Sequence, residues 1–267
     1  QGLVENVQIL SSNLVQNGDF SEEGSEEVSN GSFTNGSTDW TLGTGWSIGT
    51  DKAIQDGTGS GSSLQQSNIL VVGKTYKITY EILERAQGSI QVFAGFPNSN
   101  VPSNNTIGVH THYIKAEGNT HLYLLPSNFI GSITNISVKE VGMDWTLATG
   151  WGIGNGVAIR NNVSTNTPIS QSLNLISGKT YEFNFTVNSV TGTGSVYTPS
   201  TAETITTYTT TGNKKAYFTP SNTQLYILGW YGIGSAEIEI TNISVIEIST
   251  DTSLPRINYE GFSYQDA

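Results

Sequence analysis

The chain has no cysteine, so a disulfide framework, a thiol nucleophile and a Cys-ligated metal are all excluded. It has only 3 histidines, and charged residues make up just 12% of it. Lys and Arg number 11 against 22 Asp and Glu, for a net charge of −11. That sign argues against a nucleic-acid-binding role, which needs a basic face. No apolar run approaches the roughly 20 residues of a membrane-spanning helix. No charged-then-apolar leader is visible, and a start at Gln1 reads as a processed end or a fragment. The strong helix formers are outnumbered by Gly, Ser, Thr and Asn, a balance that suits short strands and many turns. A cysteine-free chain of this texture fits a particle that must survive outside a cell.

What is present is one domain written twice. Asp39-Trp40-Thr41-Leu42 and Gly45-Trp46-Ser47-Ile48-Gly49 return as Asp144-Trp145-Thr146-Leu147 and Gly150-Trp151-Gly152-Ile153-Gly154, an offset of 105. The same offset carries Gln66-Ser67 onto Gln171-Ser172 and Gly73-Lys74-Thr75-Tyr76 onto Gly178-Lys179-Thr180-Tyr181. Further on, Asn119–Leu125 matches Asn222–Leu228 at 103, and Ile133–Val138 matches Ile240–Val245 at 107. Such drift is what loop insertions between fixed strands produce. The unit is too long for a solenoid repeat and has the usual size of an independent domain.

Before the first unit stands a shorter echo, Val15-Gln16-Asn17-Gly18-Asp19-Phe20 and Val28-Ser29-Asn30-Gly31-Ser32-Phe33. Each reads as a short strand running into an Asn-Gly turn. The second unit has no such leading strand, since Val141-Gly142-Met143 runs straight into Asp144-Trp145. Either one of the two strands pairs with the second unit and welds the domains together, or the duplicate is a leftover of module shuffling. Glu22, Glu23, Glu26 and Glu27 between them read as a solvated loop or, more sharply, a calcium site.

Inside each unit the pattern alternates with period two. Tyr76, Ile78, Tyr80 and Ile82 share one face, as do Tyr181, Phe183, Phe185 and Val187, which predicts strands with one buried face. In the last strand the apolar phase slips at Thr134-Asn135 and at Thr241-Asn242, which predicts a β-bulge at each pair. With turn signals every ten residues or so and no helical periodicity, the fold class is all-β, two tandem antiparallel β-sandwiches. The division expected is a leader over 1–13, a first jelly roll over 14–141, a second over 142–248, and a linker toward a further module over 249–267.

The set Leu14–Phe20, the Trp residues after it, Gly73-Lys74-Thr75-Tyr76 and the closing Ile-Thr-Asn-Ile-Ser-Val resembles the jelly-roll carbohydrate-binding modules of the family 4/9/22 type, which are galactose-binding-domain-like. The tandem, Ser/Thr/Asn-rich form resembles modules strung along bacteriophage tail fibres and other virion-surface proteins. The segment Arg256–Phe262 is similar to the junction before a further module in such fibres, so the polypeptide is expected to continue past Ala267. The resemblance implies a structural calcium held by an acidic residue after the Asn-Gly-Asp-Phe element and an Asp in the last strand. Here Ser21, Thr34, Thr134 and Thr241 stand at those places, so no cofactor is expected.

Catalysis finds no apparatus. A glycosidase needs two facing carboxylates, and the repeated blocks hold no repeated pair. His110 and His112 point the same way from a strand as a metal pair would, but their counterparts at the 103 offset are Asn213 and Lys215, so two solvent-facing residues and no metal are expected. Sugar binding needs aromatic faces beside amide or hydroxyl groups. Trp40, Trp46, Trp145 and Trp151 repeat in register and read as core. Trp230 and Tyr231, in Gly229-Trp230-Tyr231-Gly232, read as a loop unique to the second unit and as the candidate carbohydrate contact. Two functions compete: a virion-surface or extracellular adhesin binding cell-surface glycans, and a purely structural spacer, decoration or filament subunit. Either suits homo-oligomers and contacts with other virion or filament subunits, without membrane or nucleic acid.

Overall fold

A computed structural model of the chain describes residues 8–96, 103–161, 164–198, 203–221 and 224–249. The linker expected over 249–267 lies, apart from Ser249, outside the described residues. Every regular element described is a strand. The first domain carries β1 (Glu23–Glu26), β2 (Thr41–Leu42), β3 (Trp46–Gly49), β4 (Lys52–Asp56), β5 (Leu64–Gln66), β6 (Thr75–Ala94), β7 (Ser103–Asn104), β8 (Gly108–Lys115) and β9 (Leu122–Val141). The second carries β10 (Thr146–Leu147), β11 (Trp151–Gly154), β12 (Val157–Arg160), β13 (Pro168–Leu175), β14 (Thr180–Thr198), β15 (Glu203–Tyr208), β16 (Gly212–Phe218) and β17 (Gln224–Ile248).

The two sheets have one plan. In the first, β2-β5-β9-β4-β3 are neighbours, with β6 pairing β9, β8 and β7. In the second, β10-β13-β17-β12-β11 are neighbours, with β14 pairing β17, β16 and β15. All pairings are antiparallel. The long strands β6 and β9 slip register four times between Thr79 and Ser89, and each slip bends the ribbon. The bending folds the sheet over, so that Tyr76, Ile78 and Tyr80 from one half of β6 share a core with Val92 and Ala94 from the other. These are two all-β jelly rolls.

The expected bulges stand at the phase slips. Thr79 pairs with Ser137 while Glu81 pairs with Thr134, and Asn184 pairs with Ser244 while Thr186 pairs with Thr241. Asn135 and Asn242 take the extra position at φ 52, a left-handed conformation that asparagine tolerates better than most residues.

The two leading segments go to different domains. Val28 and Phe33 lie in the first core, while Val15 and Phe20 lie in the second. The sequence division at 14–141 puts residues 14–20 in the first jelly roll; Leu14, Val15 and Phe20 pack into the second. Both segments dock by the same contacts. Gln66 and Gln171 clamp them with paired amide bonds, to Ser29 N and O in one case and to Gln16 N and O in the other, at 2.8–3.0 Å. The Trp40 indole donates to Asn30 O at 3.0 Å, and Trp145 donates to Asn17 O at 2.9 Å. Phe33 lies 5.3 Å from Trp40, and Phe20 lies 5.2 Å from Trp145. Gly31 O and Gly18 O accept from Ile136 N and Ile243 N beside the bulges. Upstream, Ile9 bridges to Ile248, so the described part of the expected leader, residues 8–13, also reaches the second domain.

Candidate functional site

Strand register decides the fate of Trp230. In the first domain Gln66 pairs with Leu122 and Leu64 with Leu124. In the second, Gln171 pairs with Leu228 and Ile169 with Trp230. The repeat offset here is therefore 106 rather than the 103 of the best sequence match. An odd difference turns a strand residue to the other face. Gly229-Trp230-Tyr231-Gly232 is not a loop but part of β17, and Trp230 takes the place of the core residue Leu124. It is 1% exposed, edge-on to Trp145 at 5.7 Å and to Phe185 at 6.3 Å. A ring enclosed on all sides offers no face to a sugar, so the Trp230 assignment is corrected to core. Tyr231 points the opposite way, half-buried, with Tyr197 edge-on at 5.3 Å. Trp40, Trp46, Trp145 and Trp151 are all buried.

Two carboxylates of the acidic run, Glu23 and Glu26, are engaged in protein contacts. Glu23 bridges Lys77 at 2.6 Å and Lys139 at 3.1 Å, and these ammonium groups hold its carboxyl below the ordinary range. Glu26 accepts from Val28 N, Val138 N and Ser137 Oγ. Among the described residues no group of three His, Cys, Asp or Glu side chains is placed to hold a metal ion.

The histidine pair faces inward. Ile78 pairs with His112 and Tyr80 with His110, so register aligns them with Ala216 and Lys214 of the second domain, one position away from the sequence match. Asn104 Nδ2 donates to Tyr80 Oη at 2.8 Å and meets His112 Nε2 at 2.6 Å, while His110 Nε2 donates to Thr106 O. Burial pushes the Tyr80 phenol up to about 12. Burial, then the neighbouring His110, pulls the His112 imidazole down. The second domain fills the same space with Phe185 and Tyr208, ring to ring at 5.2 Å. This network satisfies its own polar groups, and its phenol is fully buried.

A group of solvent-facing rings lies at one end of the first domain. Gly95, at φ +81, leaves no room for a Cβ against the Glu117 and Asn119 carbonyls, and this tight turn delivers Phe96 to the surface, 57% exposed. Phe93 supports it edge-on at 6.0 Å. Tyr123 pairs with Phe93 across the strands, and His121 lies edge-on to Tyr123 at 5.9 Å. Amides frame the rings. Asn119 Nδ2 donates to Tyr123 Oη at 3.1 Å, and Thr120 Oγ1 donates to Asn68 Oδ1 at 3.0 Å. Asn68 N donates to His121 Nδ1 at 3.3 Å, which leaves the imidazole proton on Nε2 as a further donor. By register the second domain has Ile227 and Gly229 where His121 and Tyr123 stand, and its sequence runs Pro199-Ser200 where the first has Gly95-Phe96. The sequence signal was there: an aromatic between Gly95 and an Asn-rich loop, in one copy only. An open groove of about 460 Å³ beside Asn184, Asn213 and Asn242 is also amide-rich, but its single ring, Phe185, is buried.

No family model matches the chain, and no curated protein matches it. Among solved structures, the tandem CBM22-1–CBM22-2 domains of Paenibacillus barcinonensis Xyn10C overlap 85% of this chain and 99% of their own, at 11% identity and a TM-score of 0.33. The isomalto-dextranase of Arthrobacter globiformis T6 overlaps 72% of this chain and 35% of its own, at 13% identity and a TM-score of 0.28. A fucolectin from striped bass, Morone saxatilis, overlaps 75% and 85% at 9% identity and a TM-score of 0.24. At scores of this size, fold and function are read from the chain itself.

Proposed function

We propose that the chain is a non-catalytic surface protein, virion-borne or extracellular, whose first jelly roll attaches weakly to glycans through the Phe96–Tyr123–His121 rim while the second serves as spacer. One observation carries this reading: an exposed ring and two half-exposed ones, framed by Asn68, Asn119 and Thr120, occur in one copy of a fold whose other copy lacks them. Stacking on apolar sugar faces and hydrogen bonding to hydroxyls are what such a group offers. A single site of this kind is shallow and weak, and a surface bearing many copies gains by multivalency. The cysteine-free, Ser/Thr/Asn-rich tandem supports the extracellular or virion setting, and the absence of a repeated carboxylate pair supports a non-catalytic role.

A glycan array probed with the full chain, coupled to beads for avidity, tests the proposal. Reproducible binding is expected, with Phe96→Ala and Tyr123→Ala each lowering it about tenfold, the scale of one aromatic contact. A blank array leaves the purely structural reading in its place, and binding untouched by both substitutions removes the Phe96–Tyr123–His121 rim as the site.

A further inference from the structure

Where the two domains meet, a ring of the first sits on a glycine of the second. Tyr113, on the edge strand β8, packs against the second core, with its Cγ and Cδ2 3.3 Å from where a Cβ on Gly154 would stand. Gly154 ends β11, in the sequence Trp151-Gly152-Ile153-Gly154, and both Ile153 and Gly154 are buried. The knob and the socket each exist a second time. Tyr113 pairs with Lys77 and Tyr217 pairs with Glu182, so Tyr217 on β16 is the structural equivalent of Tyr113. Gly49 pairs with Lys52 and Gly154 pairs with Val157, so Trp46-Ser47-Ile48-Gly49 is the equivalent socket. The other domain covers neither second version: Tyr217 is 55% exposed, and Ile48 and Gly49 are partly buried, with only the flexible tip of Ile54 over the socket, its Cδ1 2.9 Å from the Gly49 Cβ position, where a seated ring would displace it.

We infer that a second copy of this chain covers them, Tyr217 of one copy seating on Ile48-Gly49 of the next. The operation that relates the first domain to the second, applied again, brings this knob onto this socket. Such a contact is head-to-tail, and it grows into a filament unless the rotation closes a ring. Glu182 beside Tyr217 is paired with Lys215 at 2.9 Å and Lys52 beside Gly49 with Glu84 at 3.1 Å, so neither side of the contact presents an uncompensated charge. The internal joint is aided by a covalent tether worth a millimolar effective concentration, so the contact between copies is weak in dilute solution and strengthens on a crowded surface. The inference is independent of glycan binding.

The cysteine-free chain allows a clean trap. The Tyr113 Cβ lies 3.5 Å from the Cβ position of Gly154, within disulfide reach. Full-length Tyr113→Cys/Gly154→Cys should therefore close within one chain under mild oxidation. Tyr217→Cys/Gly49→Cys should instead give a ladder of disulfide-linked oligomers, at least tenfold above Tyr217→Cys/Val72→Cys, whose second cysteine replaces a valine 51% exposed and distant in the repeat from the socket. A ladder no stronger than this control, with the internal pair closing normally, overturns the inference. Failure of the internal pair to close overturns it as well, because the joint being extrapolated would then be absent.

Discussion

Trp230 shows how a residue's role depends on register rather than on its neighbours in sequence. Read at the 103 offset it lies between glycines in a loop; paired with Ile169 it stands at Leu124's place in the core. The offset is 104 between β8 and β16 and 106 between β9 and β17, a change that the residue match at 103 does not register. The repeated tryptophans were legible because Trp40, Trp46, Trp145 and Trp151 keep one spacing throughout, and shared packing is the economical cause. Removing the Trp230 indole leaves a large cavity against Trp145 and Phe185. Trp230→Ala should therefore destabilise the second domain by about 3–5 kcal/mol. Denaturant titration should show its transition shifted while the first domain's stays in place. Glycan binding at the Phe96 rim should be unchanged by the same substitution.

At the scale of elements, the alternation in β6 and β14 and the bulges at Asn135 and Asn242 were open to reading because both follow from period-two geometry. The destination of the leading segments was not. Both carry Asn-Gly and a Phe three residues after the Asn, and both domains offer a Gln, a Trp and a bulge to receive them, so local chemistry is equal in the two pairings. The choice is made by chain path: β1 lies along β9 near Val141, beside the joint, and the chain enters it from the second domain and leaves it into the first. This crossing has a direct consequence. A methyl group added at Gly18 runs into the Ile243 carbonyl, and one at Gly31 into that of Ile136. Gly18→Ala should cost about 1–3 kcal/mol, the usual cost of overpacking, and it should do so in the second domain although it precedes the first. Hydrogen exchange should quicken in β13 and β17 for Gly18→Ala, and in β5 and β9 for Gly31→Ala. Faster exchange in the first domain for both variants would refute the crossed assignment.

For the molecule as a whole, two copies of one plan differ in how they meet acid, because all 3 histidines lie in the first domain. The fold holds the His112 imidazole down, by burial and by His110, with Tyr80 and Asn104 closing the network around it. A base with a lowered folded pKa binds its proton more readily when unfolded. Stability is therefore complete above the unfolded value of about 6.5 and falls as pH drops from there toward the lower folded value. Glu23 and Glu84 in the first domain and Glu182 in the second are shifted downward, so their contributions are lost only below the ordinary carboxylate range, under pH 4.5. Between pH 7.5 and 5.5 the first domain should weaken while the second holds. Calorimetry across that interval should show two transitions moving apart. His112→Ala puts at this position the residue that the second domain carries as Ala216, and it should remove the drift. A drift that persists in this variant, or one carried by the second domain, would mean that groups outside the Tyr80–Asn104–His112 network govern the acid response.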